Sequence, residues 1–375
     1  MIKEFKPEYV VVPGQTLQEH LDYLGMSQKE LALRIDRTVK HVNEIIKGKA
    51  PITAETAIRL ERVLSIPASF WLNLEKNYQE LKAELEEKKR LKSEVGVLKR
   101  FPVKEMVKKG YLSAQDDELA QVQDLLRYLG VASFAAWERV IDEEVKGVFR
   151  TAKAYVSEKE SLSIWLRQGR LQAQEMECRP FSRKIFREFV NEARKLTRKP
   201  LQEALVELKE MGSQAGVCLV IVPEIGKTRV SGATYWIKDR AVIQLSLRYR
   251  SNDQLWFSFF HEAGHIYLHG KRLFLDEAYE QQEDIEEQAN RFAEDVLIPK
   301  DKWSAFLASI PGEIDVEDIA RGSERLGIAE GILVGRLQYE GFLPYNSSFN
   351  RLKKFYKEEG LEKVVLEQFP PVTVG

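Results

Sequence analysis

The order of apolar and polar positions divides the chain into three regimes. Up to about residue 80, apolar residues recur three and four apart in short runs broken by turns, the pattern of a bundle of short helices. Leu17 and Leu21 make one such stripe. Ser27, with Glu30 three residues on, reads as a capping box that opens a helix with Leu31 and Ile35 inward. After a break at Asp36 and Arg37, Thr38 caps a second helix with Val39, Val42, Ile45 and Ile46 inward, and Gly48 ends it. Ala57, Leu60 and Leu64 mark a further helix. Two short helices joined by a tight turn within such a bundle match a helix-turn-helix.

From 81 to 200 the chain is charged and helical. Glu84/Lys88 and Glu86/Arg90 sit one turn apart, as on a solvated connecting helix, and the heptads are not sustained enough for a coiled coil. Beyond 201 the period changes. Segments 217–222, 230–237 and 241–247 read as strands, and 253–268 and 283–297 as helices, the second closed by Pro299. From Asn346 a helix of mixed charge leads to QFPPVTVG, where Pro370 and Pro371 stop any helix and the last residues are expected to be mobile. The expected fold is α+β and mostly α. It has a helix-turn-helix bundle over 1–80, a helical middle region over 81–200, a domain with a small sheet over 201–345, and a C-terminal helix and tail over 346–375.

Charge and composition narrow the function. The 57 Lys+Arg against 58 Asp+Glu exclude a basic nucleic-acid coat and a polyanionic tail protein. At 44% hydrophobic residues, wholesale disorder is excluded. No apolar run reaches the roughly 18 residues of a membrane span. The start, MIKEFKPEYVVVPG, lacks the basic and long apolar regions of a signal peptide, so a cytoplasmic protein with no membrane partner is expected. The two cysteines, Cys178 and Cys218, form no C-x-x-C pair. They read as small buried hydrophobes in a reducing compartment.

Two constellations carry chemistry. On the outer face of the second short helix, Thr38, Lys40, His41, Asn43 and Lys47, together with Gln28, offer the polar side chains that base edges and phosphates require. Glu44 tempers the attraction to phosphate. Further on, three of the five histidines fall in one helical stretch. His261-Glu262-Ala263-Gly264-His265 is H-E-x-x-H: residues four apart share a helical face, so both imidazoles reach one metal ion. Glu262, offset around the helix, is placed to take a proton from a water that the metal has acidified. His269 lies about 12 Å from His261 along an unbroken helix, too far for a third ligand but open to a supporting role. Glu286 is the better third ligand. It shares a small apolar helical face with Ala289, Asn290, Ala293 and Leu297, whereas Glu287 shares its face with Arg291 and Glu294 and should point to water. Asn290 could orient a ligand histidine. Tyr235, Tyr267, His269, Arg336 and Tyr339 are candidates to stabilise a tetrahedral oxyanion, and strand 230–237 could pair with an extended substrate. Two histidines and a carboxylate suit Zn2+ but also admit Mn2+ or Fe2+.

The segment MSQKELALRIDRTVKHVNEIIKGKAPITAETAIRLERVL resembles the Xre/Cro-type helix-turn-helix, and with its flanks resembles HigA-type antitoxins. That likeness implies a homodimer on operator DNA with paired half-sites. FSFFHEAGHIYLHG followed by EEQANRFAEDVLIP resembles the ImmA/IrrE metallopeptidases, which implies a thermolysin-like (gluzincin) minimal peptidase domain. By that likeness His261, His265 and Glu286 hold zinc and Glu262 is the base. The expectation is a DNA-binding, antitoxin-like regulator whose zinc endopeptidase cuts a repressor, a toxin or itself. The alternative is a non-enzymatic repressor or antitoxin whose zinc domain is structural or sensory.

Overall fold

The computed structural model describes residues 11–145, 159–246, 248–271, 274–275, 283–310, 312–356, 365 and 367–373. It divides into two compact units, Met1–Gly96 and Val97–Gly375.

The first unit contains α1 (Pro13–Tyr23), α2 (Gln28–Arg34), α3 (Val39–Ile46), α4 (Ala54–Leu64) and α5 (Ala68–Glu94). Its core is Leu17, Leu21, Leu31, Val42, Ile45 and Leu60, packed around the buried Trp71. Ser27 Oγ accepts from the Glu30 amide at 3.1 Å. The Glu30 carboxylate turns to Arg34 at 2.6 Å, so half of the expected capping box forms. Thr38 Oγ1 accepts from the His41 amide at 3.1 Å and starts α3. Gly48, at φ 66°, ends it in the left-handed conformation that favours glycine. A Cβ on Gly14 would lie 2.2 Å from Ile45 O, so α1 and α3 cross where no side chain fits. Val39, expected inward, is 46% exposed, because the core beneath α3 begins at Val42. Late in α5, Arg90 pairs with Glu87 at 2.5 Å and with Glu94 at 2.8 Å.

The second unit opens with α6 (Val103–Lys108), α7 (Glu118–Leu129), α8 (Phe134–Val145), α9 (Lys159–Glu175), α10 (Arg183–Lys195) and α11 (Leu201–Ala215). Three strands follow, β1 (Val217–Ile221), β2 (Gly232–Ile237) and β3 (Arg240–Leu245), then α12 (Asn252–Leu268) and the two-residue β4 (Phe274–Leu275). The unit continues with α13 (Glu283–Leu297), α14 (Lys300–Ala308), α15 (Val316–Leu326) and α16 (Glu330–Tyr339). The sheet order is β1-β3-β2-β4, with β1 parallel to β3 and the other pairs antiparallel. β1 is buried along its whole length, and β3 from Ala241 on. Helices cover both sheet faces, which is why these strands read as apolar runs and do not alternate.

On one face α9, from the stretch expected to be a connector, lies close: Gln244 Nε2 donates to Trp165 O at 2.7 Å. The other face joins the large core that contains Phe259, Phe260 and Ala263 of α12. Cys218 is buried in β1 and Cys178 is half-buried, and both are free thiols.

Of the tail expected to be mobile, residues 368–373 are docked, and 374 and 375 lie outside the described residues. Phe369 is buried in the core, Gln172 Nε2 donates to its carbonyl at 2.9 Å, and Thr373 Oγ1 donates to Gly110 O at 2.8 Å. Of the helix expected from Asn346, residues 348–352 form a 3-10 turn and 357–364 lie outside the described residues. Among the described residues no helix is long and apolar enough to cross a membrane.

Candidate functional site

Two helices form the heart of the second unit. α12 is buried almost all round, and its Gly264 faces α13. A Cβ there would lie 3.2 Å from Ala289 Cα, so Gly264 against the buried Ala289 sets a close approach. The small apolar face read from the sequence thus has its counterpart on α12, and it carries Glu286 to the two histidines. His261 Nε2 and His265 Nε2 are 3.0 Å apart. Glu286 Oε2 lies 3.1 Å from the first and 3.5 Å from the second. Among the described residues, His261, His265 and Glu286 are the group of three or more metal-ligand side chains that converge.

These separations test the fit of a cation. A tetrahedron with arms of about 2.0–2.1 Å has edges of about 3.3 Å, and the three donors lie at such edges. Their protonation suits a cation as well. Burial pushes His265 down to about 4, which leaves its ring neutral. Burial acts to raise Glu286, but its contacts with the His261 and His265 rings outweigh it and bring the carboxyl down to about 2.

The outer nitrogens are also engaged. Asn290 Oδ1 lies 2.8 Å from His261 Nδ1. A carbonyl oxygen accepts, so Nδ1 carries the proton and Nε2 keeps its lone pair for the metal side. His265 Nδ1 lies 3.0 Å from His269 Nδ1, and His269 Nε2 lies 3.4 Å from Gln288 Oε1. With Gln288 accepting from His269, His269 Nδ1 accepts from His265, which frees the second Nε2 in turn. His269 thus sits behind a ligand histidine at the C-cap of α12, outside the triangle.

Glu262 is fully buried. Its Oε2 accepts from Thr234 Oγ1 at 2.6 Å. A Cβ on Gly232 would lie 2.5 Å from Glu262 Oε1, so β2 offers this carboxylate a hydroxyl and a gap where no side chain stands. Neither Thr234 nor Gly232 was singled out by sequence reasoning. Tyr235, which was, faces away: strand alternation turns it to the α9 side, where its hydroxyl donates to Gln244 Oε1 at 2.9 Å. The edge of β2 expected to receive a substrate is occupied at Ala233 and Thr234 by β4. Tyr267 lies under Arg183 at 4.7 Å. Arg336 bridges Glu294 at 2.8 Å and Glu340 at 2.5 Å, and Tyr339 is largely exposed.

In the first unit the six residues read as DNA contacts fall into two groups. Thr38, Lys40 and Lys47 are exposed, and Thr38 spends its oxygen on the α3 cap. Gln28, His41 and Asn43 are half-buried. Asn43 Nδ2 donates to Gln28 Oε1 at 3.1 Å, and Gln28 Nε2 donates to Gln18 Oε1 at 2.7 Å, a fixed amide chain linking α3, α2 and α1.

Comparison with known proteins matches both units. The family described as IrrE N-terminal-like domain matches residues 217–337. The family described as helix-turn-helix matches residues 20–71. The HTH-type transcriptional regulator YddM of Escherichia coli (strain K12) is 35% identical over 72 residues, covering 19% of this chain and 77% of that protein. Virulence-associated protein I of Dichelobacter nodosus is 37% identical over 67 residues, 18% of this chain and 62% of that protein. A solved antidote protein of the HigA family from Coxiella burnetii shares 34% identity with a TM-score of 0.21, covering 22% of this chain and 92% of that one.

Proposed function

We propose, for a chain that belongs by its N-terminal domain to the helix-turn-helix family and carries an IrrE N-terminal-like domain behind it, the role of a DNA-binding transcriptional regulator with a competent metallo-endopeptidase site. The observation that carries the peptidase reading is the buried Glu262 carboxylate, held by Thr234 at 2.6 Å in the residue next to His261. A purely structural metal site has no use for a buried acid between its two histidines, and burying one is costly.

His261, His265 and Glu286 would hold the ion, zinc by preference, with manganese or iron(II) also suited to the donor set. When bound, the metal supplies Lewis acidity to a water and to the peptide carbonyl. Asn290 and His269 keep the Nε2 lone pairs aimed inward. Glu262 takes the proton of the attacking water and returns it to the departing amine, acting as base and then acid. Thr234 keeps the Glu262 carboxylate in one orientation through both transfers. The helix-turn-helix unit, as a homodimer, would bind operator DNA through α3, and the protein cut would be a repressor, a toxin or a copy of this chain.

The test compares wild type with Glu262→Gln for metal content and for cleavage, each incubated alone and with repressor and toxin proteins encoded near it. Cleavage by wild type of a protein that Glu262→Gln leaves intact, with metal retained in both, supports the peptidase. If both hold metal, both bind DNA and neither cuts anything, itself included, the chain is a non-enzymatic repressor or antitoxin with a structural or sensory metal.

A further inference from the structure

The two cysteines, far apart in sequence, meet in the fold. Cys218 is buried in β1, with its Sγ 3.9 Å from Ala173 O near the end of α9. Cys178 lies in the segment that leaves α9, and its Sγ donates to Ser213 O at 3.5 Å. That segment runs back along the turn into β1. The Arg179 amide donates to Ser213 O at 3.0 Å and the Ser182 amide to Ala215 O at 3.1 Å. A Cβ on Gly216 would lie 2.2 Å from Phe181 Cα. Arg240 Nη1 donates to Met176 O at 2.9 Å and fixes the chain just before Cys178. The two thiols are thereby brought within hydrogen-bond reach of each other.

They differ in access and in acidity. Cys178 is half-buried between the exposed Glu177 and Arg179. Its hydrogen bond with Cys218, aided by the Arg240 guanidinium, holds the Cys178 thiol below the usual range, against burial and the Asp239 carboxylate. Cys218 is 1% exposed, and its thiol is pushed up by the hydrogen bond with Cys178 and by burial.

We propose that Cys178 and Cys218 are a peroxide-sensitive thiol pair that closes reversibly to a disulfide, Cys178 attacking the oxidant and Cys218 resolving. The Cys178 thiolate attacks one oxygen of hydrogen peroxide. The O–O bond breaks, the hydroxide takes up the thiol's proton and leaves as water, and Cys178 becomes a sulfenic acid. The Cys218 sulfur then attacks the Cys178 sulfur. The S–O bond breaks, the hydroxyl leaves with the Cys218 proton as water, and an S–S bond forms. Two thiols lose two electrons and two protons, and the peroxide is reduced to two waters. A dithiol reopens the bond by exchange. Burial keeps Cys218 from peroxide until the sulfenic acid stands beside it. Closing to a bond of about 2.05 Å calls for a shift of the half-buried Cys178, not of β1. The pair is independent of the metal-ligand set, whose donors are nitrogen and oxygen.

Thiol titration in denaturant and peptide mapping test the pair on the reduced full chain, before and after stoichiometric hydrogen peroxide. Wild type should go from two titratable thiols to none, with no covalent dimer and with both cysteines in one cross-linked peptide. Dithiothreitol should restore both thiols. Cys218→Ser should stop at a Cys178 sulfenic acid that dimedone traps and wild type does not accumulate. Cys178→Ser should keep its Cys218 thiol. Oxidised wild type should melt several degrees above reduced, because the new bond constrains the unfolded chain. Circular dichroism checks the folding of the serine variants, and Cys218→Ala, which suits the apolar surroundings, replaces Cys218→Ser if that variant does not fold. Survival of both thiols in wild type, a bond between Cys178 of two chains, or oxidation of Cys218 in Cys178→Ser would each overturn the pair. So would a melting temperature that falls on oxidation, which would mean a bond that the native fold does not accommodate.

Discussion

Thr234 Oγ1 on β2 lies 2.6 Å from Glu262 Oε2 on α12, and 3.0 Å from the backbone carbonyl of the same glutamate. One hydroxyl thus ties the sheet to the acid at the centre of the proposed site. Thr234→Val keeps the shape and removes the donor. A buried carboxylate that loses a partner costs about 1–3 kcal/mol or more. Urea unfolding of the second unit should shift by that amount, Thr234→Ser should recover most of it, and metal content should stay unchanged. Identical stability of the valine variant and wild type would show that the contact contributes nothing.

The outer nitrogens of the two histidines have different partners, Asn290 for His261 and His269 for His265. Removing such a partner frees the ring to turn and to change tautomer, which typically weakens metal binding about 10–100-fold. Asn290→Ala and His269→Ala should each do so in competition with a chromophoric chelator. Replacing Glu287, which is exposed and pairs with Arg291, should have no effect. An undiminished affinity in both alanine variants would place the metal elsewhere.

Much of this arrangement was legible in the sequence where the signal is local. The bounds of α13 coincide with the expected 283–297, and Glu286 was singled out because Ala289 and Ala293 lie on its face. What escaped is the pairing across the sheet. β2 is buried over Gly232–Tyr235 on both faces, so periodicity gives no preference between Thr234 and Tyr235 as the residue turned to α12. β4 pairs at two residues only, too short a run to read. The tail was misjudged because its partners, Gln172 and Gly110, lie some two hundred and more residues away in sequence.

That tail yields a prediction of its own. Phe369 is 4% exposed, with Lys209 Nζ 5.0 Å above its ring and the Gln172 amide on its carbonyl. Phe369→Ala should cost about 3–5 kcal/mol of the second unit's stability. Val372→Ala, half-buried three residues on, should cost less. Chemical denaturation followed by tryptophan fluorescence measures both. A loss under about 0.5 kcal/mol for Phe369→Ala, the range of ordinary surface substitutions, would mean that the tail is not part of the core.

On the first unit, exposure separates two kinds of proposed DNA contact. The Lys40 side chain is 85% exposed, with Glu44 3.9 Å away, which suits a flexible reach to phosphate. Asn43 is held by Gln28 and Gln28 by Gln18, which suits an amide presented at a fixed angle to a base edge. The two should therefore fail differently on duplexes selected by wild type from a random pool. Lys40→Ala should weaken selected and unselected duplexes alike and lower the slope of log K against log salt by about 1. Asn43→Ala should leave that slope unchanged and lose about 1–3 kcal/mol on selected duplexes alone. Fluorescence anisotropy at several salt concentrations reads both quantities. If Asn43→Ala instead weakens every duplex equally, the amide chain braces the three helices and reads no base.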